Sequence, residues 1–478
     1  MFCRHPRPAA SLRVAASSLH PARCRVALAY SKDLVMAIPE KTLPPPARTA
    51  HPLVMRLHFY AGVLVAPFIL IAALTGALYA LAPTIESVVY RDLLTVDPGG
   101  SPIPLAEQAD AARTAFPELT MTGLRPAPTS TDSTRVYFSD PALGEDMLRA
   151  VFVDPYTGRV LGDEATWFGY LPLSTWLDGM HRHLNLGEPG RVYSELAASW
   201  LGVVALGGLY LWLVRRRRDK PTGRARTVSR HAGVGVWALV FMVFLSATGI
   251  TWSTYAGAHV SDIRTALNWQ RPQLDTSAGE HAGHQGHASA AATPADLDAV
   301  VAAAAEAGVA APVEVTLPSE PGAAFSVTEI DEPWRLTTNV AAVDPVTSEV
   351  TAQIDYWRDY TVVAMLADWG IRMHMGFLFG VLNQVVLLGV AIAIVTVIVL
   401  GYRMWWQRRP TRGSGWAVGR PPPRGGLRRI HPAAAVALCL GAVLVGWFLP
   451  LLGISLVAFL LVDLVLAAVK RRRASRLS

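Results

Sequence analysis

The chain has 478 residues, of which 52% are hydrophobic and only 17% are charged, and its formal net charge is +7. This balance is typical of a membrane-embedded protein. The positive charge does not indicate nucleic-acid binding, because Lys and Arg cluster in short segments at the ends of apolar runs. The three cysteines lie outside the long segments between the runs, so no disulfide framework is predicted there.

Residues 1–50 are rich in Arg, Ala and Pro and contain no apolar core of the kind found in a signal peptide. This composition predicts a disordered cytoplasmic tail. Met36 could serve as the start codon as well as Met1.

Six apolar runs follow the tail, and the first four are long enough to cross a bilayer. The last two, between 433 and 469, are shorter and predict an extra C-terminal helical hairpin. The six runs are 57–82, 194–214, 232–254, 376–402, 433–449 and 451–469.

The charges alternate in sign along the chain. Residues 215–230 hold 8 Lys and Arg against 1 Asp, whereas the segment 81–195 holds 8 basic against 16 acidic residues. The segment 254–368 is similarly acidic, with 4 against 16. Since Lys and Arg mark the cytoplasmic side, we expect both termini, the basic loop 215–230, the Pro/Arg linker 411–432 and the basic tail 470–478 to be cytoplasmic. The lipid bilayer is thus the first expected partner.

The sequence pattern repeats. A basic residue followed closely by His58 opens the first run, His231 opens the third in the same way, and both runs carry Thr-Gly near their far end. His181 lies six residues before Gly187, as His374 lies six before Gly380. The chain therefore reads as two copies of one unit, 51–214 and 231–410.

The two long segments between the apolar runs repeat as well. In 83–178 an amphipathic helix over Leu105–Pro117 precedes short strands and a hairpin turn at Asp154-Pro. In 255–370 a helix over Thr293–Glu306 precedes strands around 323–328 and 334–343 and a turn at Asp344-Pro. These patterns predict two small α+β domains outside the membrane, the second preceded by a His-rich linker.

The repeat predicts two histidine pairs. His58 and His231 begin runs that start inside, and we expect His181 and His374 to begin helices that start outside. Paired imidazoles from facing helices suit a six-coordinate haem iron. Nearby glycines would let a flat macrocycle approach the backbone; these are Gly62, Gly233, Gly235 and Gly376.

Other histidines leave alternatives open. His183 has no counterpart in the second copy and is expected at a haem edge or at the surface, although it could replace His181 as a ligand. His281, His284 and His287 form a Gly/Ala-rich tract that could bind a transition metal weakly or remain a solvated linker.

Three features carry a family resemblance: the Leu-His pattern, the Asp-Pro-Tyr-Thr-Gly-Arg-Val turn that starts at Asp154, and the Met180–Arg191 motif. By these features the chain resembles the PepSY-associated transmembrane family over about 51–410. The resemblance implies a polytopic α-helical protein of the bacterial inner membrane, built from a duplicated helix–PepSY domain–helix unit. It also implies two b-type haems, held by His58, His231, His181 and His374.

By the same resemblance, the protein would carry electrons outward from the inner to the outer haem. It would thereby reduce ferric siderophores or other Fe(III) chelates in the periplasm. The sequence has no dinucleotide-binding fingerprint after a predicted strand, so a separate cytoplasmic reductase or a membrane quinol is the expected donor.

Two other function classes compete with this one. A non-enzymatic PepSY scaffold that restrains a periplasmic partner or protease would need no haem. A metal transporter using the His-rich tract would be expected to have broken or polar helices at the membrane midplane.

Overall fold

The computed structural model describes residues 50–144, 146–215, 222–276, 296–320, 322–409, 422 and 430–475. The predicted N-terminal tail, except residue 50, and the tract with His281, His284 and His287 lie outside the described residues. So do most of the linker 411–432 and parts of the basic loop 215–230 and the basic tail 470–478.

The first and third apolar runs each form two helices rather than one. Helices α1 (His51–Leu64) and α2 (Ala66–Ala80) meet at a bend of 58°, and α8 (Gly223–Trp237) and α9 (Leu239–Thr251) meet at 57°. Pro67 at the start of α2 explains the first bend, because its ring cannot be accommodated in a straight helix.

The second and fourth runs form the long helices α7 (Glu188–Leu213) and α14 (Val381–Trp406). Within the described residues three single helices are long and apolar enough to cross a membrane, or five if each bent pair counts as one span. Helix α7 starts at Glu188, before the predicted start at 194, and its Glu195 is buried. This carboxylate accepts the backbone N–H groups of Tyr255 and Ala256 (2.8 and 3.1 Å), which explains its place in an apolar helix.

The remaining helices connect these long helices to the strands and complete the chain. They are α3 (Ala82–Val89), α4 (Arg91–Leu94), α5 (Leu105–Ala115), α6 (Pro172–His183), α10 (Tyr255–Ala266), α11 (Leu297–Glu306), α12 (Tyr356–Asp359) and α13 (Val362–Met375), followed at the C-terminus by α15 (Pro432–Phe448) and α16 (Pro450–Ser475).

The strands form one antiparallel sheet of eight, in the order β4-β3-β2-β1-β5-β6-β7-β8. The first half contains β1 (Thr120–Arg125), β2 (Thr134–Ser139), β3 (Met147–Val153) and β4 (Val160–Trp167). The second half contains β5 (Val313–Thr316), β6 (Phe325–Glu329), β7 (Val340–Val343) and β8 (Val350–Ile354).

The expectation of two separate α+β domains therefore needs correction. The two groups of four strands join where β1 pairs with β5, with Gly123 opposite Thr316 and Leu124 opposite Val315. This pairing satisfies the backbone groups of two strands that would otherwise be exposed edges. Helices α5 and α11 contribute to a single hydrophobic core with the sheet, centred on residues such as Phe138, Val300 and Val327.

The two Asp-Pro turns have the same geometry although their sequences differ. Asp154 and Asp344 each accept side-chain hydrogen bonds from backbone N–H groups two residues ahead (2.9 and 2.8 Å). Gly158 and Ser348 both adopt a left-handed conformation, with φ of 69° and 55°. Ser348 thus takes the backbone conformation that glycine supplies in the first turn.

Helices α15 and α16 dock on the other spans through polar contacts. Trp200 of α7 donates a hydrogen bond to Ser455 (2.9 Å), and Nδ1 of His259 lies 2.9 Å from the carbonyl oxygen of Phe448. Asp463 of α16 forms an ion pair with Arg56 of α1. The C-terminal hairpin therefore contacts the other helices at a few points, while most of its apolar side chains are exposed.

A substitution of Gly123 tests the junction of the sheet. A Cβ at this position would lie 2.6 Å from the carbonyl oxygen of Val315 on the neighbouring strand. We expect Gly123→Ala to lower the free energy of unfolding by about 1–3 kcal/mol, because backbone must shift to make room. Thermal unfolding in detergent measures the effect. Gly99→Ala is the control, since its Cβ meets nothing closer than 3.7 Å; equal stability of the two variants would contradict the prediction.

Candidate functional site: two histidine pairs

The structure brings the four repeated histidines together as two pairs. His58 of α1 and His231 of α8, here called the inner pair, have ring centres 6.2 Å apart with an angle of 81° between the rings. His181 of α6 and His374 of α13, the outer pair, also have ring centres 6.2 Å apart, with an angle of 53°.

The inner pair is oriented by backbone carbonyl groups. Nδ1 of His58 lies 3.1 Å from the carbonyl oxygen of Val204 in α7, and Nδ1 of His231 lies 2.9 Å from that of Val397 in α14. A carbonyl oxygen can only accept, so Nδ1 carries the proton in each ring. The lone pair is then on Nε2, the nitrogen that remains for a metal ion.

The outer pair lies on short helices and not at the start of the spans, which corrects the expectation for His181 and His374. Helix α6 ends at His183, with Leu184 left-handed (φ 54°), and α13 ends at Met375, with Gly376 left-handed (φ 92°). These left-handed residues stop each helix and turn the chain before α7 and α14 begin.

Threonine hydroxyl groups orient the outer pair. Oγ1 of Thr75 lies 3.2 Å from Nδ1 of His181, and Oγ1 of Thr248 lies 2.5 Å from Nδ1 of His374. Each hydroxyl also donates to a carbonyl oxygen of its own helix, at 2.9 Å for Thr75 and 2.8 Å for Thr248. Its oxygen is therefore the acceptor for the Nδ1–H group, as the carbonyl oxygens are at the inner pair.

Glycines pack against all four rings. A Cβ at Gly76 would lie 2.9 Å from Cε1 of His181, and one at Gly208 would lie 3.2 Å from Cε1 of His58. A Cβ at Gly401 would lie 3.7 Å from Cε1 of His231, and one at Gly249 would lie 3.9 Å from Cε1 of His374. The glycines expected from the sequence contact none of these rings: Gly62 and Gly233 have open space, Gly235 lies near Val397, and Gly376 ends α13.

A cavity that is partly open to the surroundings lies beside the outer pair. Both outer histidines, Gly76 and Gly249 line it, together with apolar side chains from α2, α7, α9 and α14. Arg182 and Arg191 supply positive charge to its wall, and Asp178, 3.3 Å from Arg182, supplies a carboxylate. The site thus combines two imidazoles, an apolar interior, two cationic groups and one carboxylate.

Comparison with known proteins identifies the family. The model of the PepSY-associated TM region matches residues 55–408, which include both histidine pairs and the whole sheet. The chain belongs to this family. No curated protein matches it. This PepSY-associated protein is accordingly a membrane protein, and α15 and α16 lie beyond the matched region.

Buried polar contacts hold the two short helices of the outer pair. Glu86 of α3 accepts the backbone N–H of Ser174 in the first turn of α6 (2.7 Å), and burial raises the pKa of this carboxyl group. On α13, Arg372 lies 2.7 Å from Asp331 and 3.5 Å from Asp368, and both Arg372 and Asp368 are buried. The outer histidines therefore stand on anchored helices.

His183 lies apart from the outer pair. Its Cε1 atom is 3.4 Å from the Cβ position of Gly179, and its carbonyl oxygen is 1.7 Å from the Cβ position of Gly190. The chain thus packs tightly around its backbone, where only glycine fits. Among the described residues, no group of three or more His, Cys, Asp or Glu side chains could hold a metal ion.

The anchoring of α6 gives a testable expectation. Glu86→Ala leaves the N–H of Ser174 without its acceptor, so we expect the free energy of unfolding to fall by about 1–3 kcal/mol. Glu86→Gln keeps an acceptor oxygen and should retain most of the stability. Thermal unfolding in detergent measures both, with exposed Glu118→Ala as control. Glu86→Ala as stable as Glu118→Ala would contradict the anchoring role.

Proposed function

We propose that this PepSY-associated protein is a di-haem electron-transfer protein that reduces ferric chelates, such as ferric siderophores, on the periplasmic side of the bacterial inner membrane. The observation that carries the proposal is the recurrence of one arrangement: two histidines with ring centres 6.2 Å apart, each with Nδ1 at a protein acceptor.

The spacing fits haem ligation. Two imidazoles on opposite sides of one metal ion, with metal–nitrogen bonds of about 2.0–2.1 Å, place their ring centres about 6.3 Å apart. A haem iron needs only two protein ligands, because the macrocycle supplies the other four. The glycines beside the rings let each imidazole lie close against a neighbouring helix, which fixes the position of the ring.

The distribution of Lys and Arg supports a membrane topology for this proposal. The Lys- and Arg-rich segments adjoin the start of α1, the end of α7, the start of α8 and the end of α14, whereas the sheet connects to their opposite ends. By the positive-inside rule, both termini are cytoplasmic and the sheet is periplasmic. The inner pair then lies near the cytoplasmic face. In this proposal the two halves are duplicated units and α15 and α16 add two further spans.

The haems, when bound, would supply one-electron transfer between the two faces of the membrane. His58 with His231 and His181 with His374 would hold them, and the hydrogen bonds at Nδ1 keep each ring in the tautomer that presents Nε2. Ligation by two histidines would favour electron transfer over oxygen chemistry. Arg191 offers a cationic partner for a carboxylate group at the outer site, whereas Arg182 is paired with Asp178 there.

The substrate class follows from iron chemistry. Fe(III) is a hard cation that hard-oxygen chelators hold tightly, and Fe(II) is a weaker partner for the same ligands, so one-electron reduction releases it. The donor is a cytoplasmic reductase or a membrane quinol. The role in the cell is then iron uptake.

Histidine substitutions test the cofactor and its pairing together. We expect the purified protein to contain two b-type haems per chain by pyridine haemochrome. His58→Ala and His231→Ala should each lose the same haem, and His181→Ala and His374→Ala should each lose the other, because one of the two histidines that would hold it is missing. Visible spectra of the dithionite-reduced proteins distinguish the two haems.

His183→Ala is the matched control and should retain both haems, since this ring lies outside the outer pair. A colourless protein from haem-replete cells would refute the proposal and favour a PepSY scaffold. Loss of a haem in His183→Ala with retention in His181→Ala would instead make His183 the ligand.

Chelate reduction tests the direction of transfer. In vesicles that carry the protein with the sheet outside and a reductant sealed within, we expect external ferric chelate to be reduced, as followed with an Fe(II)-specific dye. Loss of either pair should abolish the reaction, because the electron path is then interrupted. Equal rates in protein-free vesicles, or in vesicles carrying His374→Ala, would contradict the assignment.

A further inference from the structure

The two threonines beside the outer pair share an arrangement that their helices do not require. Thr75 lies on α2 and contacts His181 of α6, and Thr248 lies on α9 and contacts His374 of α13. Each threonine is followed by a glycine that packs against the same ring. The Thr-Gly dipeptide thus supplies a hydrogen-bond acceptor for Nδ1 and a surface without a side chain for the ring edge.

The direction of the hydrogen bonds has a chemical consequence. The hydroxyl of Thr75 donates to the carbonyl of Ile71 at 2.9 Å, and that of Thr248 donates to Phe244 at 2.8 Å. Donation in one direction polarises the oxygen and strengthens it as an acceptor in the other. An acceptor at Nδ1 makes the imidazole a more basic ligand, which stabilises the oxidised form of the metal it binds.

The inner pair donates the same kind of hydrogen bond to acceptors of a different type. Its acceptors are the backbone carbonyl oxygens of Val204 and Val397, which no side-chain substitution removes. At the outer pair the hydroxyls of Thr75 and Thr248 lie at Nδ1, with the backbone carbonyl of Ala72 as a further partner of His181, and a single substitution can delete each hydroxyl. The inner site therefore serves as an internal reference within one molecule.

We propose that Thr75 and Thr248 are positioning residues that lower the reduction potential of the outer haem and fix the orientation of its two histidines. The inference rests on the proposed function, since it requires a haem between His181 and His374. It assigns the task of setting the outer potential to two residues that bind neither the iron nor the substrate.

A purely structural role for the threonines makes a different prediction. Threonine hydroxyls in membrane helices often bond back to a carbonyl of the preceding turn, as Thr396 of α14 does with Ile392 at 2.7 Å. If this were their only role, removing the hydroxyl would affect helix packing and leave the potential of the haem unchanged.

Redox titration of the purified di-haem protein separates the two roles. Thr75→Val and Thr248→Val remove the acceptor at nearly constant volume, and Thr75→Ser and Thr248→Ser restore a hydroxyl. We expect each valine variant to shift the outer haem's equilibrium towards the reduced form by about tenfold, a rise of about 59 mV for one electron. The serine variants should remain close to the wild type.

Two controls accompany the titration. The inner haem should keep its potential in every variant, and Thr396→Val should shift neither haem. Electron paramagnetic resonance of the oxidised proteins should show two histidine-ligated haems throughout, which confirms that a shift arises with the ligands in place. If one valine variant does not fold, the other threonine provides the same test.

The outcomes are distinguishable from failure of the proposed function. A wild-type protein without haem would overturn both proposals. The role of Thr75 and Thr248 alone would be overturned if the wild type holds two haems but the valine variants leave the potential of the outer haem unchanged. The same holds if the potentials of the outer and inner haems move equally. A rise that serine does not reverse would also overturn it, because the hydroxyl would then not be the cause.

Discussion

Four imidazoles lie among apolar helices, and each needs a hydrogen-bond partner there. The arrangement of the helices depends on this need. An unpaired polar group in such surroundings costs on the order of several kcal/mol. The chain avoids this cost by supplying an acceptor at each Nδ1. The acceptors come from neighbouring helices: α7 and α14 serve the inner pair, and α2 and α9 serve the outer pair. Each histidine thereby ties two helices together and keeps Nε2 available.

The bent spans explain how one chain can form both sites. Helices α1 and α8 carry the inner histidines, and after the bends α2 and α9 carry the threonines that serve the outer ones. A bend of nearly 60° changes the direction of each span between these two positions. One bent helix pair thus contributes a histidine to one pair and a hydrogen-bond acceptor to the other, so the two pairs share their supporting helices.

The sheet provides a second connection between the halves of the chain. Because β1 pairs with β5, the strands of both halves form a single layer. Helices α6 and α13 follow its two outermost strands, β4 and β8, and bring the outer histidines towards each other. At the other end, the ion pair of Arg56 with Asp463 joins the C-terminal hairpin to α1, close in sequence to His58. The hairpin thus contacts the helix that carries one histidine of the inner pair.

The sequence by itself determined the apolar helices, the family and the four histidines, because hydrophobicity and repeated spacing are local properties that can be read along one chain. It also indicated the Thr-Gly repeat, but not its role, since only contact with another helix shows which ring the hydroxyl meets. The joined sheet, the position of His181 and His374 at helix ends, and the glycines that touch the rings were decided by tertiary structure. These features depend on how distant segments pack and on left-handed residues such as Leu184, whose side chain gives no sign of that conformation.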